Sequence, residues 1–424
     1  MLFYHLLWTL IGGPVVVGCR FFNNPRVRER LALNLPKAPL KRRSIWVHAL
    51  SVGEVKSALP LVTKIAQEYP QRHLVFSSTT VQGLNLATKE LGKKTSAVVC
   101  MPVDFWWASE RMIRWVRPEL FVVVETDLWP GLLDRLKSAG ATSILVNGRV
   151  SDRTFRFYSM APYLARQLFA HLRYCLMQSD QDRERLLQIG VPSEKVVVAG
   201  NIKFDHVHHA LKGDEKGEWF DLLGLSPDAL IWVAGSTHGK ESELILDVFV
   251  RLWRSYPKLT LILAPRKIEE SASIVRLARQ KGLTCLRRSE ANGKVKEPQV
   301  IVLDTIGELS KIYGLGHISF VGGSLVPFGG HNLLEPASFG LPVLFGPNTQ
   351  NFAWMAEALE KAKGGVRVKD ANELFSLVSR LICEPELRTQ IGDAARAFVT
   401  RNRGALDKAM NYISKCLTKK GPGA

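Results

Sequence analysis

Acidic residues are scarce in this sequence: 39 Asp+Glu stand against 57 Lys+Arg in 424 residues, a formal charge of +18 with an isoelectric point near 9.7. Partners that carry phosphate or carboxylate, or an anionic membrane face, are therefore favoured. No tract is long or biased enough to be collagenous, repetitive or low in complexity, which leaves a globular chain long enough for two or three domains. Cysteine is sparse too. The six, Cys19, Cys100, Cys175, Cys285, Cys383 and Cys416, are far apart with no C-x-x-C pair, so they suggest neither a zinc site nor a disulfide scaffold and read as reduced cytosolic thiols. There is no Walker loop, no G-x-G-x-x-G and no convincing D-x-D, which disfavours NTP and NAD; no metal or other cofactor is expected. A basic nucleic-acid-binding protein, the class that charge alone invites, would need an aromatic-interleaved basic patch or a known motif, and neither is found.

What is present begins with an uncharged stretch. Residues 1–19 (MLFYHLLWTLIGGPVVVGC) would form a helix about 28 Å long against a hydrocarbon core of roughly 30 Å. Gly12, Gly13 and Pro14 interrupt it, so a kinked or half-inserted anchor is as reasonable as a full crossing, and a membrane-anchor helix is expected within residues 1–22. From Arg20 to Arg72 eleven Lys/Arg face three Glu, a charge that would hold the following domain on the cytoplasmic side against anionic head groups. Beyond residue 44, short runs rich in Val, Ile and Leu (SIWVHAL, HLVFSST, AVVCMPV, LFVVVETD, TSILVNG) alternate with helical stretches, as in a parallel sheet covered on both faces. The pattern pauses at 206–228, where His206, His208 and His209 read as part of a solvated linker, and resumes with LIWVAGST, TLILAPR, VIVLDT, HISFVGG and PVLFGP. The predicted fold class is α/β: two Rossmann-like βαβ domains, 23–205 and 229–424, facing across a cleft and joined by 206–228.

Strand ends of the first domain carry chemistry-bearing side chains. SIWVHAL runs into Ser51-Val52-Gly53-Glu54, which puts Glu54 at a strand-to-helix turn, where the dipole and free N–H groups would keep its carboxylate ionised and able to act as a base. A capping glutamate is the evenly weighted alternative. LFVVVETD delivers Glu125 and Asp127, and VVVAGNIKFD delivers Asn201, Lys203 and Asp205; each is either a functional group or a satisfied loop.

In the second domain LIWVA ends in Gly235-Ser236-Thr237-His238, with Glu241 just inside the next helix; ordinary N-capping hydroxyls are the plain reading. TLILA runs into Pro265-Arg266-Lys267, where a guanidinium can hold a phosphate through paired bonds. Thr305-Ile306-Gly307-Glu308-Leu309 follows, and then HISFVGGSLVPFGGHNLLEPASFGLPVLFGP. Gly322, Gly323, Gly329 and Gly330 allow close backbone approach, and a helix beginning near Asn332 offers free N–H groups to an anion. Pro336 must then lie in that helix's first turn, where Glu335 is better placed to accept from a ribose diol than to face phosphate. A nucleotide sugar fits this pattern.

Together SVGE at 51–54, ETDLWP at 125–130, GNIKFD at 200–205, APR at 264–266, and GGS with GGHNLLEPA within 322–337 resemble the bacterial 3-deoxy-D-manno-octulosonic acid (Kdo) transferases. The resemblance implies a GT-B glycosyltransferase that moves Kdo from CMP-Kdo to the lipid A precursor, lipid IVA, on the cytoplasmic face of the inner membrane. It implies Glu54 as general base, with Glu125 and Lys203 stabilising the transition state. CMP would be held by Pro265, Arg266, Gly307, Glu308, Leu309, Asn332, Leu333, Leu334 and Glu335. Ser51, Gly53, Ser236, Thr237, His238, Gly323, Ser324, Gly330 and His331 are further contact candidates. The family's G-S-T-H-x-G-E-E reads here Gly235-Ser236-Thr237-His238-Gly239-Lys240-Glu241-Ser242, a departure at its end. A membrane-associated GT-B enzyme using another nucleotide sugar is the rival reading.

Overall fold

The run SIWVHA at Ser44–Ala49 (β1) is buried along its whole length, as a strand covered on both faces must be. In the structure, a computed structural model that describes residues 10, 25–36, 38–206, 211 and 213–418, β1 is an interior strand of a parallel sheet. Its companions are His73–Ser78 (β2), Ala97–Cys100 (β3), Pro118–Val124 (β4), Thr142–Gly148 (β5), Leu172–Met177 (β6) and Val196–Val198 (β7), in the order β3-β2-β1-β4-β5-β6-β7. Alternate residues feed opposite layers. Ile45, Val47 and Ala49 pack with the helices Val52–Glu68, Val81–Leu91 and Ala405–Thr418. Trp46 packs on the other face with Phe121, Val123 and residues of the helices Trp106–Val116, Pro130–Ser138 and Pro162–Ala170.

A second parallel sheet comprises Leu230–Thr237 (β8), Leu259–Pro265 (β9), Cys285–Arg287 (β10), Val300–Val302 (β11), Ile318–Val321 (β12), Val343–Phe345 (β13) and Gly365–Arg367 (β14), in the order β10-β11-β9-β8-β12-β13-β14. Trp232 and Ala234 face one apolar layer, Ile231 and Val233 the other. Strand order reverses beside β1 in the first sheet and beside β8 in the second. Those two switch points are where the carboxyl ends of such sheets bind ligands.

The chain divides into two compact units, Met1–His206 with Arg403–Ala424, and Val207–Asn402. The C-terminal end thus departs from the expected second domain at 229–424. Asp205 explains the return: its carboxylate accepts from the N–H of Gly404 at 2.7 Å and of Leu406 at 2.9 Å, so it caps the helix Ala405–Thr418 from across the chain. Ala405, Ala409, Met410 and Ile413 of that helix complete the first core. The expected linker at 206–228 also contains more structure than its composition suggests. Glu215–Leu223 is a helix ending at Gly224, whose positive φ closes it, and Leu223 packs on the second core with Trp219 and Phe220. The expected anchor at 1–22 lies outside the described residues apart from Leu10, as do His208 and His209. Among the described residues no helix is long and apolar enough to cross a membrane.

Asp205→Ala is expected to lower stability by about 1–2 kcal/mol, the loss of a capping carboxylate, and to expose residues 405–418 to protease before the rest of the first unit. Equal cleavage rates in both proteins would show that apolar packing alone holds the helix.

Candidate functional site

At the carboxyl end of β1 the chain turns through Leu50 and Ser51 into the helix Val52–Glu68, and Glu54 is its third residue. Glu54 Oε2 accepts the Leu50 N–H at 2.6 Å and the Ser51 N–H at 3.3 Å, so the capping role is real for one oxygen. Its charge state differs from the expectation. Burial first, then the nearby Glu125 and also Asp127, outweigh the two N–H bonds and push the carboxyl up to about 7. A helix terminus contributes about 0.3–1 kcal/mol to an anion, too little to offset burial beside two other carboxylates. A Cβ at Gly53 would meet only Ser51 Oγ, at 4.0 Å, so packing alone does not demand glycine there.

Glu125 follows β4 and has φ +63°, a left-handed conformation that bulky residues avoid. Its N–H is tied to the Val146 carbonyl at 2.9 Å, and its Oε1 lies 3.2 Å from Lys203 Nζ. The turn that presents Lys203 is fixed by amides from neighbouring strand ends. Asn147 Oδ1 accepts from the Ile202 N–H at 3.1 Å, Asn201 Oδ1 from the Lys203 N–H at 3.0 Å, and Gln178 Oε1 from Asn201 Nδ2 at 3.0 Å. Asn201 is therefore a positioning residue, and Asp205 belongs to the helix cap.

Sequence reasoning missed His48. It is fully buried on β1, its Nε2 3.0 Å from Asp127 Oδ2 and its Nδ1 2.9 Å from Ser77 Oγ. Trp129 Nε1 donates to the same Asp127 oxygen at 3.1 Å. Burial works to raise the Asp127 carboxyl, but these two donors together with Arg30 bring it below its ordinary value. The signal was present in SIWVHAL: a polar side chain in a strand buried on both faces must find a partner.

In the second unit the expected residues divide into two kinds. Thr237 is buried and bonds Ser242 through the two hydroxyls at 2.8 Å, while the helix Lys240–Trp253 is entered from Gly239, so Ser236 and Thr237 are not its N-caps. Ser236 has φ +58°. Glu241 is fully buried and accepts four backbone N–H groups, from Gly323, Ser324, Leu325 and His238. His238 Nε2 lies 2.8 Å from His331 Nε2, and its ring stacks on Phe328 with centroids 4.0 Å apart. Burial, reinforced by Arg266 and Lys267 against Glu270, holds His238 below the usual imidazole range.

Pro265 closes β9 and is buried, whereas Arg266 is exposed with its N–H bonded to the Thr237 carbonyl at 2.8 Å. Gly307 has φ +89° and open space around it, and Leu309 starts the short helix that follows. Glu308 is held by Arg288 at 2.8 Å and by the Thr305 hydroxyl. Asn332 Nδ2 donates to Glu335 Oε1 at 3.0 Å, and Pro336 falls in the first turn of the helix Leu334–Ser338, which begins two residues later than expected. Leu333 and Leu334 are buried in the core, and Ser324 is consumed by the Val321 carbonyl and the Gly346 N–H. Gly330 gives its N–H to the Gly323 carbonyl at 2.8 Å. Leu333, Leu334 and Ser324 are thus buried, and together with Gly330 they shape the loop.

A family model described as 3-deoxy-D-manno-octulosonic-acid transferase (kdotransferase) matches residues 25–206. The 3-deoxy-D-manno-octulosonic acid transferase of Haemophilus influenzae is 32% identical over 429 aligned residues, 98% of this chain and 99% of that one. The chain belongs to the Kdo transferase family. A Kdo transferase of Chlamydophila psittaci is 29% identical, with 96% of this chain and 93% of that one covered. The crystal structure of a glycosyltransferase from Rickettsia africae ESF-5 superposes with a TM-score of 0.55 at 12% identity, over 90% of this chain and 100% of that one. That likeness shows the fold, two Rossmann-like units of GT-B type. As a Kdo transferase the chain is a glycosyltransferase. Its first unit brings Glu54, Glu125, Asp127 and Lys203 to one end of one sheet.

Proposed function

We propose that this Kdo transferase takes Kdo from CMP-Kdo and delivers it to a phosphorylated lipid A precursor, lipid IVA, in lipopolysaccharide core biosynthesis at the cytoplasmic face of the inner membrane. The observation that carries the reading is the Glu54 carboxyl, raised to about 7 and so matched to proton abstraction near neutral pH. The acceptor hydroxyl gives its proton to Glu54 as its oxygen bonds the anomeric carbon. The bond from that carbon to the CMP phosphate oxygen breaks with its electron pair, CMP departs, and the configuration inverts. Lys203, oriented by Glu125, meets negative charge on the sugar carboxylate or phosphate.

On the second unit, Arg266 takes the CMP phosphate and Glu335 the ribose diol. Leu333 and Leu334 support that loop from the core. Incubation with CMP-Kdo and the tetra-acylated precursor should add the mass of Kdo to the lipid. Product formed only from a different nucleotide sugar would replace the donor in this reading.

Calorimetry tests the donor residues separately. Arg266→Ala should weaken CMP binding about 10- to 100-fold, the worth of charge-assisted bonds, and Glu335→Gln should weaken it by a smaller, measurable factor. Wild-type CMP affinity in both variants would remove these residues from the site.

A further inference from the structure

Two imidazoles meet at the carboxyl end of the second sheet. His238 follows β8 and His331 lies in the loop after β12; both are half-buried, with their Nε2 atoms 2.8 Å apart and their ring planes within 7° of parallel. The loop is shaped to admit them. Gly323 has φ +68°, and a Cβ there would come within 3.1 Å of the His331 ring and 3.3 Å of the His238 ring. Phe328, itself 58% exposed, stacks on the His238 ring.

A bond between two Nε2 atoms fixes where protons can be. One ring carries the bridging hydrogen and the other presents a lone pair, so the bond survives while the pair is neutral or holds one additional proton, and breaks when both rings are cationic. Among the described residues His238 Nδ1 has no hydrogen-bond partner. An additional proton would sit on that nitrogen and make it an N–H donor. The surrounding charges decide when. Arg266 and Lys267, exposed at the end of β9, oppose a cation there, and Glu270 on the turn that follows favours one. Arg266 is brought alongside by its N–H bond to the carbonyl of Thr237, the residue before His238. On the adjoining helix Lys240 and Glu243 are exposed and opposite in charge, while Glu241 is committed to four backbone N–H groups. Residues 322–330 contain no Asp, Glu, Lys or Arg, and Glu335 beyond them accepts from Asn332. Burial and the two nearby cations therefore keep the pair uncharged until an anion arrives.

We infer that His238 and His331 form a proton-linked anion site: the pair holds one bridging proton in the ligand-free chain, and His238 Nδ1 takes a second proton from solvent as a phosphate monoester dianion binds between it and Arg266. The inference rests on the CMP reading for the identity of that phosphate. In the donor the phosphate is a diester with one negative charge. When its bond to the anomeric carbon breaks, the electron pair leaves a second charge on CMP, and a cationic pair beside Arg266 offsets it. The same proton ties product release to pH, because loss of it from His238 Nδ1 returns the pair to the state that holds the dianion less tightly.

Calorimetry of CMP binding to the full chain at pH 7.5, in buffers of different ionisation enthalpy, counts the protons. The second ionisation of a phosphate monoester lies near pH 6, so uptake at pH 7.5 belongs to the protein. About 0.5–1 proton per CMP is expected, with none for cytidine, and CMP should bind roughly 2- to 10-fold tighter as pH falls from 8.5 to 7.5. Glu54, whose carboxyl also titrates at about 7, is removed from the count by Glu54→Gln, which should leave the uptake in place. In that background His238→Asn keeps an N–H donor near the Nδ1 position but cannot take a proton. It should still bind CMP, without uptake or pH dependence and with an unchanged melting temperature. Nuclear magnetic resonance of the wild-type chain with isotope-labelled histidine reads the same event without substitution: one imidazole should pass to the cationic form as CMP is added. CMP binding without proton uptake, or uptake that disappears with Glu54→Gln, overturns the inference and leaves the donor reading standing. Absence of CMP binding at every pH overturns both.

Discussion

Replacing Glu54 by Gln is expected to lower turnover by about 10²–10⁴, the usual contribution of a general base, and also to raise the melting temperature above pH 7. The two effects share one cause. A carboxyl whose folded value lies at about 7, above the 4.5 of the free group, contributes its stabilising term in full below pH 4.5 and loses it as pH rises through 7. At pH 8 the ionised Glu54 therefore opposes folding, by an amount on the order of 1–3 kcal/mol. The glutamine side chain of the variant keeps an oxygen for the Leu50 N–H and never ionises, so it escapes that penalty. Melting curves from pH 4 to 9 should coincide at the acid end and separate above neutrality, with the variant higher. The wild-type kcat/KM should rise through about pH 7 to a plateau. Identical melting at every pH together with near-normal turnover would show Glu54 to be an ordinary helix cap.

Both sheets were legible because strands buried on both faces are continuous apolar runs, and SIWVHAL or TLILA cannot be read as half-exposed elements. The return of the C-terminal helix to the first unit was not legible. Its docking depends on Asp205 meeting Gly404, 199 positions away, and no local pattern records such a pair. The charge of Glu54 was hidden for a related reason: a helix N-terminus is visible in SVGE, whereas burial and the arrival of Glu125 from another strand are tertiary facts. The loop at 332–335 shows a third limit. In Asn332-Leu333-Leu334-Glu335 the motif is contiguous, but the helical turn sends the leucines into the core and leaves the polar pair together.

Glu241→Gln is expected to destabilise the second unit by about 2–5 kcal/mol, because it leaves at least two buried N–H groups without an acceptor. In the native loop the Gly323 and His238 N–H groups reach Oε2 at 2.6 and 3.3 Å, and those of Ser324 and Leu325 reach Oε1 at 3.1 and 2.9 Å. Burial holds the carboxyl above its ordinary value, and the four donors offset only part of that rise. With donors on both oxygens, the ionised form is the one the loop is built around. An amide can keep one of those oxygens; its NH₂ group then faces two N–H donors, and no rotation relieves both ends. For a unit of this size the loss corresponds to roughly 5–15 °C in melting temperature. Hydrogen exchange should accelerate first at residues 322–325, which lead to His331 and to the Asn332–Glu335 pair, and CMP affinity should fall with it. An unchanged melting temperature with CMP binding lost would instead make Glu241 a direct ligand contact. The Ser242 that stands where the family has a second glutamate is compatible with the structural role, since its hydroxyl serves Thr237 and leaves all four N–H groups to Glu241.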